Sequence, residues 1–182
     1  MNTDYIIENL RFEILRPYHN LSDFKCGSRK LNRYLRRQAL EDQKLTDRVT
    51  HLVICNAELI AYFSIRVYFE GIPEEDYEEI RKTLPDIPEA NEIPLAEISH
   101  FAIDRKYESP ELAAAIFDNI IYNLKNIFKT QTSFRGVSIT IGDDCLFPID
   151  DSIDMEVLER EVLDVIREKE KEGEYFFVKE IK

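Results

Sequence analysis

Residues 95–142 constrain the fold more than any other segment, because they alternate strand, helix and strand. The stretch 95–104 (LAEISHFAID) is apolar and rich in β-formers, and 136–142 (GVSITIG) is a shorter segment of the same kind. Between them, Pro110 opens a helix, a position where its missing N–H would have no intrahelical partner anyway. This order predicts a βαβ unit with neighbouring parallel strands and a right-handed crossover. The helix carries a wide apolar stripe that predicts packing on a sheet: 112, 113, 116, 117, 120, 121, 124, 127 and 128.

The N-terminal part begins with a predicted strand and a predicted helix. Residues 6–18 (IIENLRFEILRPY) favour a strand that Pro17 closes. Ser28 follows Gly27 and is an N-cap type of residue, so a helix is predicted from there to about residue 45. Its inward stripe consists of residues spaced three and four apart: Leu31, Tyr34, Leu35 and Gln38 or Ala39.

A hairpin and a long excursion are predicted next. Residues 49–55 and 59–67 are apolar and β-rich, and the short link 56–58 predicts an antiparallel hairpin. Residues 70–94 hold four prolines among many acids, a composition that predicts a long connection rather than a sheet element.

The C-terminal part differs in kind from the rest. Residues 150–173 are acidic with one apolar stripe, which predicts a helix that stops at Gly173, and 175–181 (YFFVKEI) predicts a closing strand. A chain of 182 residues suffices for one domain with a proper core. We therefore predict a single α/β domain over 1–182, with a core at 1–148 and an acidic helix and closing strand at 149–182.

Composition indicates the cellular location of the protein, the state of its cysteines and its affinity for polyanions. No apolar run approaches the roughly 20 residues of a membrane span, and the first residues do not resemble a secretory signal, so we expect a cytoplasmic protein. The three cysteines, Cys26, Cys55 and Cys145, are far apart, which predicts reduced and buried thiols rather than disulfides or a metal site. The net charge of −12 opposes the binding of polyanions unless a local basic patch overcomes it.

Three stretches, taken in order, resemble the GNAT acyltransferase family, and in particular its toxin-like branch from bacterial toxin–antitoxin pairs. The first is FKCGSRKLNRYLRRQA (24–39), with a Phe-x-Cys-Gly opening followed by Leu, Tyr-Leu and Ala. The second is LIAYFSI (59–65), and the third is EIPLAEISHFAIDRKY (92–107). Together they cover roughly residues 5–142.

The resemblance implies a mixed central sheet with a splayed pair of parallel strands and flanking helices, and it implies acetyl-CoA as the acyl donor. The strand backbone would pair with the pantetheine arm, and the loop and helix start after it would hold the phosphates. The residues at the matching positions are Phe101, Ala102, Ile103, Ser109, Glu111, Leu112, Ala113 and Ala114.

The phosphate loop departs from the family pattern. The family has glycines there, because the backbone must approach a pyrophosphate and N–H groups at a helix start bind anions. Residues 107–114 contain no glycine, Pro110 removes a donor, and Glu108 and Glu111 add carboxylates. The same two acids also favour a helix start through the macrodipole, which is the alternative interpretation.

Candidate catalytic residues lie on and near the strand at 95–104. Glu97 and His100 both have the chemistry of a general base, and regular strand alternation predicts that only one of them faces the cleft. Alternatively, Glu97 faces solvent and His100 is a hydrogen-bonded structural residue. Family members protonate the departing thiolate with a tyrosine in a segment where this chain has Phe147 and Pro148. Tyr175 or Tyr122 is the candidate replacement.

Six cations without an intervening acid lie between residues 24 and 40: Lys25, Arg29, Lys30, Arg33, Arg36 and Arg37. In the toxin-like branch such a surface implies an aminoacyl-tRNA or an antitoxin-like protein as partner. The alternative is a solvated face paired to the acidic tail at 156–172.

Three functions remain open from the sequence. The first is an N-acyltransferase that moves an acetyl group from acetyl-CoA to a primary amine. The second is a GNAT-fold protein without catalysis that binds protein or nucleic acid. The third is an acyltransferase-like module that dimerises through the 150–173 helix as part of a larger machine.

Overall fold

The computed structural model describes residues 2–45, 48–71, 92–131, 136–141, 165–171 and 174–180. Within these ranges there are four helices and seven strands. The helices are α1 (Thr3–Glu8), α2 (Arg29–Arg37), α3 (Ala39–Lys44) and α4 (Pro110–Gln131). The strands are β1 (Arg11–Ile14), β2 (Val49–Cys55), β3 (Glu58–Gly71), β4 (Glu92–Ile103), β5 (Gly136–Ile141), β6 (Val165–Lys171) and β7 (Glu174–Glu180).

The strands form one seven-stranded sheet in the order β1-β2-β3-β4-β5-β7-β6. Every neighbouring pair is antiparallel except β4 and β5, which run parallel. The predicted mixed α/β sheet and the predicted parallel neighbours are thus confirmed.

The parallel pair separates partway along its length. The β4–β5 ladder runs from Leu95–Gly136 to Ile98–Ile139 and ends there. Beyond that point, β4 continues to Ile103 along β3, and β5 continues to Ile141 along β7. Each strand keeps its outer partner while the shared ladder stops, which agrees with the splayed parallel pair that the resemblance implies, and we call this place the opening.

The two faces of the sheet carry separate apolar cores. One face, called here the α4 face, packs Phe63, Ile98 and Phe101 against the buried stripe of α4 and against Ile6 of α1. The opposite face, called here the α2 face, is covered by α2 and α3. Its core comprises Leu15, Phe24, Cys26, Leu31, Tyr34, Leu35, Ala39, Leu52, Tyr62 and Ala102.

The hairpin between β2 and β3 turns on two residues with positive φ, Asn56 at 49° and Ala57 at 65°. Two consecutive left-handed residues match the twist of the flanking strands, as in a type I′ turn. The predicted hairpin is confirmed, although Glu58 already belongs to β3. Strand also extends into the predicted excursion, to Gly71 on one side and from Glu92 on the other.

Two N-terminal predictions need correction. Residues 6–18 are not one strand, because α1 occupies Thr3–Glu8 before β1 begins. Ile6 of this short helix is buried in the core of the α4 face, a tertiary contact that overrides its β propensity. The predicted helix from Ser28 to residue 45 is two helices, divided at Gln38.

The helix predicted over 150–173 is wrong for residues 165–171, which form β6. This segment pairs with β7 from Val165–Lys179 to Lys171–Glu174, so a neighbouring strand supplies its backbone hydrogen bonds. Tertiary pairing therefore outweighs the helix propensity of its Glu and Lys residues. Residues 150–164 and 172–173 lie outside the described residues. The closing strand at 175–181 is confirmed as β7.

None of the helices described is both long enough and apolar enough to cross a lipid bilayer.

Candidate functional site

A β-bulge in β4 sets the geometry beside the splayed opening. Ser64 of β3 pairs with His100, whereas the next residue, Ile65, pairs with Ile98, so Ser99 is the extra residue. An extra residue shifts the alternation of side chains by one position. Glu97 and His100 therefore both lie on the α2 face, and the expectation of opposite faces is wrong.

His100 is nearly buried, at 8% exposure, and its ring is held by neighbours. Tyr34 of α2 stacks on the imidazole with a centroid separation of 3.7 Å and an interplanar angle of 5°. The Tyr34 hydroxyl donates to Ser64 Oγ at 3.3 Å, and burial raises the pKa of Tyr34. Ser99 Oγ lies 3.2 Å from Nδ1 of His100. The ring thus has a defined orientation before any ligand binds.

Glu97 is also buried, at 5% exposure, and forms an ion pair with Arg66 of β3. The guanidinium of Arg66 lies 5.5 Å from the ring centroid of Tyr68, a cation–π distance. The carboxylate of Glu97 thus has a guanidinium partner on the neighbouring strand. Glu97 is therefore not the solvent-facing strand residue of the alternative interpretation.

The strand residues predicted to hold acetyl-CoA have buried side chains. Phe101 and Ile103 belong to the core of the α4 face, and Ala102 belongs to the core of the α2 face. A ligand in the opening would therefore meet this strand through its backbone, as the resemblance implies.

The start of α4 is capped by the protein itself. Ser109 Oγ accepts a hydrogen bond from the Leu112 amide at 3.1 Å, and the Ser109 carbonyl accepts one from the Ala113 amide at 3.0 Å. Pro110 has no N–H to offer. This helix start therefore offers fewer donors to a phosphate than a glycine loop does.

Side chains around the α4 start divide into buried and exposed ones. Leu112 and Ala113 are buried in the core of the α4 face, whereas Glu108, Glu111 and Ala114 are exposed. Two carboxylates thus face the solvent where the resemblance places a pyrophosphate.

Asp104, which the sequence analysis missed as a site residue, ties two loops together. Its carboxylate accepts hydrogen bonds from the Lys25 amide at 2.7 Å and from the Lys106 amide at 3.0 Å, and it is 3% exposed. The Arg105 amide in turn donates to the Lys25 carbonyl at 3.0 Å. An aspartate at the end of a predicted strand was the available signal, because Asp side chains commonly bond to nearby backbone N–H groups in turns.

Tyr107 anchors the same loop to the β2–β3 hairpin. Its hydroxyl donates a hydrogen bond to the carboxylate of Glu58, and this bond raises the pKa of Tyr107 to about 12.

A groove of 380 Å³ lies along α2 and is lined almost entirely by cations: Lys25, Arg29, Asn32, Arg33, Arg36 and Arg37. Arg36 is fixed there by hydrogen bonds to the carbonyls of Leu21, Ser22 and Phe24. Of the six predicted cations, Lys30 alone does not line this groove. We call this feature the cationic groove, and its positive charge attracts anionic groups.

Both tyrosines predicted as the general acid lie within the described residues. Tyr175 lies on β7 opposite Ile141, the last residue of β5 and thus on the side where the ladder with β4 has ended. Tyr122 lies on α4 and is 65% exposed. Phe147 and Pro148 lie outside the described residues.

Cys26 and Cys55 are both buried thiols, as predicted, whereas Cys145 lies outside the described residues. Burial raises the pKa of Cys26. Among the residues that the structure describes, no cluster of His, Cys, Asp or Glu could hold a metal ion.

The sequence matches no known family profile and no curated protein. Solved structures nevertheless share its fold. AtaT complexed with acetyl-methionyl-tRNAfMet superposes with a TM-score of 0.66 at 16% identity, over 93% of this chain and 94% of AtaT.

Two further structures agree with that comparison. A mutant of KacT gives a TM-score of 0.64 at 12% identity, over 93% of this chain and 95% of KacT. A mutant AtaT toxin bound to the C-terminus of the antitoxin AtaR and to acetyl-CoA gives 0.62 at 15% identity, over 93% of each chain. The chain therefore has the GNAT fold, in the form found in AtaT and KacT.

Proposed function

We propose that this chain is an N-acyltransferase that moves an acetyl group from acetyl-CoA to a primary amine. The observation that carries the proposal is the end of the β4–β5 ladder at Ile98–Ile139, with Glu97 and His100 on one face beside the opening. Support also comes from the fold that it shares with a toxin whose structure contains acetyl-CoA.

The residues of the chain have distinct roles in this proposal. The backbone at 101–103 holds the pantetheine arm in the opening, and α4 begins where the phosphates would lie. His100 accepts the proton from the attacking nitrogen as the N–C bond forms and the C–S bond breaks. Glu97, paired with Arg66, stabilises positive charge that develops near the amine. Tyr175 is the candidate acid for the departing thiolate, although a thiolate leaves well without one.

The fit to acetyl-CoA differs between the two halves of the site. The opening between the strands fits the narrow pantetheine arm, whereas Ser109, Pro110 and the exposed Glu108 and Glu111 leave the phosphates with few donors and two repulsive charges. We therefore expect acetyl-CoA to bind with micromolar rather than nanomolar affinity.

The acetyl acceptor in this proposal is a primary amine attached to a polyanion. Aminoacyl-tRNA is a molecule of this class. The cationic groove lies on α2, the helix whose Tyr34 stacks on His100, so phosphates in the groove would bring an attached amine towards the imidazole. AtaT, which has the same fold, is known in complex with acetyl-methionyl-tRNAfMet. An acidic antitoxin-like segment is the competing occupant of the same groove.

A second candidate is a GNAT-fold binding protein without catalysis. The exposed Glu108 and Glu111 at the α4 start favour it, because they oppose the binding of a pyrophosphate. In that case the cationic groove would be the functional site and the opening would be a remnant.

Calorimetry with acetyl-CoA tests the two candidates directly. Micromolar binding, followed by transfer of labelled acetyl groups to a mixture of aminoacyl-tRNAs, supports the enzyme. His100→Ala should lower the transfer rate by about 100-fold, the lower end of what a general base contributes. His19→Ala, which removes a half-buried histidine paired with Glu13, is the matched control. No binding at millimolar acetyl-CoA contradicts the enzymatic proposal.

A further inference from the structure

The hydroxyl of Ser99, the bulged residue of β4, has two partners. Its oxygen lies 3.4 Å from the carbonyl oxygen of Ser64 and 3.2 Å from Nδ1 of His100. Side chains at neighbouring positions of a regular strand point to opposite faces, so a contact between residues 99 and 100 depends on the bulge. Ser99 is 8% exposed, so both contacts are largely buried.

The proton of this hydroxyl can satisfy only one acceptor. The Ser64 carbonyl is an acceptor without a proton of its own, so the Ser99 hydroxyl must donate to it if that contact is a hydrogen bond. Ser99 Oγ then accepts from His100, which requires a proton on Nδ1. In the neutral imidazole, the other nitrogen, Nε2, then carries the lone pair.

The orientation of the ring is fixed by a second set of contacts. Tyr34 lies parallel to the imidazole at 3.7 Å. Its hydroxyl is bonded to Ser64 Oγ, which in turn lies 2.8 Å from Thr50 Oγ1. This buried chain of hydroxyl groups holds Tyr34, so the imidazole cannot easily turn to exchange its two nitrogens.

We infer that Ser99 is a positioning residue that holds neutral His100 in the Nδ1–H tautomer, so that Nε2 is the nitrogen that accepts a proton. The role of that proton in catalysis rests on the proposed function. In the transfer step, a proton passes from the amine nitrogen to Nε2 as the N–C bond forms. The C–S bond breaks and its electron pair leaves with sulfur. The imidazolium, still bonded through Nδ1–H to Ser99, then returns the proton to solvent or to the thiolate.

Nitrogen-15 NMR of the full chain, labelled at histidine, tests the tautomer without any assay of activity. The chain has three histidines, so His100→Gln identifies the signals of interest by their loss. At a pH where His100 is neutral, we expect Nδ1 to show the shift of a protonated nitrogen and Nε2 that of an unprotonated one. The opposite pattern in the unmodified protein overturns the inference.

Variants of Ser99 provide the second measurement. Ser99→Ala should convert the His100 spectrum to a mixture of tautomers and lower kcat about 10-fold with little change in KM, a part of the 10²–10⁴-fold contribution of a general base. Ser99→Thr, which keeps the hydroxyl, should restore both. Asn9→Ala removes an exposed polar side chain after α1, outside this chain of contacts, and should change neither. An unchanged His100 spectrum in Ser99→Ala also overturns the inference.

The two proposals fail in different ways. If the spectrum shows Nδ1–H but no acetyl transfer occurs, the tautomer assignment stands and the proposed function is wrong. If transfer occurs but His100 carries its proton on Nε2, the proposed function stands and the role of Ser99 is wrong.

Discussion

The starts of α2 and α4 use the same capping chemistry but carry opposite charge. Ser28 Oγ accepts from the Leu31 amide at 3.3 Å, and Ser109 Oγ accepts from the Leu112 amide at 3.1 Å. The first turn of α2 has no acid and is followed by arginines, whereas that of α4 contains Glu111.

This difference teaches that a capped helix start does not by itself define an anion site. Both helix starts have a positive dipole end, but the side chains around α4 oppose an anion and those along α2 attract one. The resemblance to the GNAT family implies that the start of α4 holds the phosphates of acetyl-CoA. In this chain, the positively charged side chains cluster instead in the cationic groove on α2.

Removing Asp104, which links the loops before α2 and α4, should give the largest effect, a loss of stability. Asp104→Ala removes the acceptor of the Lys25 and Lys106 amides, so that two part-buried hydrogen bonds to a carboxylate are lost. We expect a loss of about 3 kcal/mol in the free energy of unfolding, since hydrogen bonds to charged groups contribute about 1.5–3 kcal/mol each. Urea denaturation measures it. Asp23→Ala, at an exposed aspartate, is the control, and an equal loss there would show that Asp104 has no special role.

Reversing charge in the cationic groove should give the next largest effect. Arg29→Glu with Arg33→Glu should weaken tRNA binding about 100-fold, at about 1.4 kcal/mol for each side chain. The slope of log affinity against log salt concentration should also become shallower. Fluorescence anisotropy with labelled tRNA measures both, and Arg11→Glu with Arg16→Glu on β1 and the loop after it is the control. Equal losses in the two double variants would mean that the groove is not the contact surface.

Removing the negative charges at the start of α4 should strengthen binding, in this case the binding of acetyl-CoA. Glu108→Gln with Glu111→Gln should tighten its binding about 30-fold, since each carboxylate near a phosphate costs about 1 kcal/mol at an effective dielectric near 20. Calorimetry measures the change, and Glu8→Gln on α1 is the control. Unchanged affinity would remove the α4 start from the phosphate site.

The caps themselves should give the smallest and most similar effects. Ser28→Ala and Ser109→Ala should each lower the free energy of unfolding by about 1 kcal/mol, the usual contribution of a serine cap. Thermal or urea denaturation of the two single variants measures it. If one cap contributes far more to the free energy of unfolding than the other, the two helix starts are not structurally equivalent. Their charges could then not be compared directly.

Much of the fold was predictable because it depends on local patterns. The cap at Ser28, the inward stripe of Leu31, Tyr34 and Leu35, and the βαβ unit around α4 follow from spacing and turn chemistry. The errors occurred where tertiary contacts outweigh propensity. Ile6 is helical because α1 packs on the α4 face, and residues 165–171 are a strand because β7 lies beside them.

The candidate site was less predictable than the fold. The sequence indicated Glu97 and His100 as candidates, but regular alternation placed them on opposite faces. The bulge at Ser99 reversed that, and nothing in the residue types near it signals one extra position. The contact of Asp104 with the Lys25 amide joins positions 79 residues apart, which no local pattern can reveal.

The sequence by itself determined the strand–helix–strand order around α4, the basic character of α2 and the acidic start of α4, because charge, capping and apolar periodicity are properties of neighbouring residues. Only the tertiary structure decided which side chains share a face beside the opening, and that Tyr34 and Ser99 hold His100. The physical reason is that register and bulges depend on how one strand pairs with another, and a single shifted residue moves every side chain beyond it to the other face of the sheet.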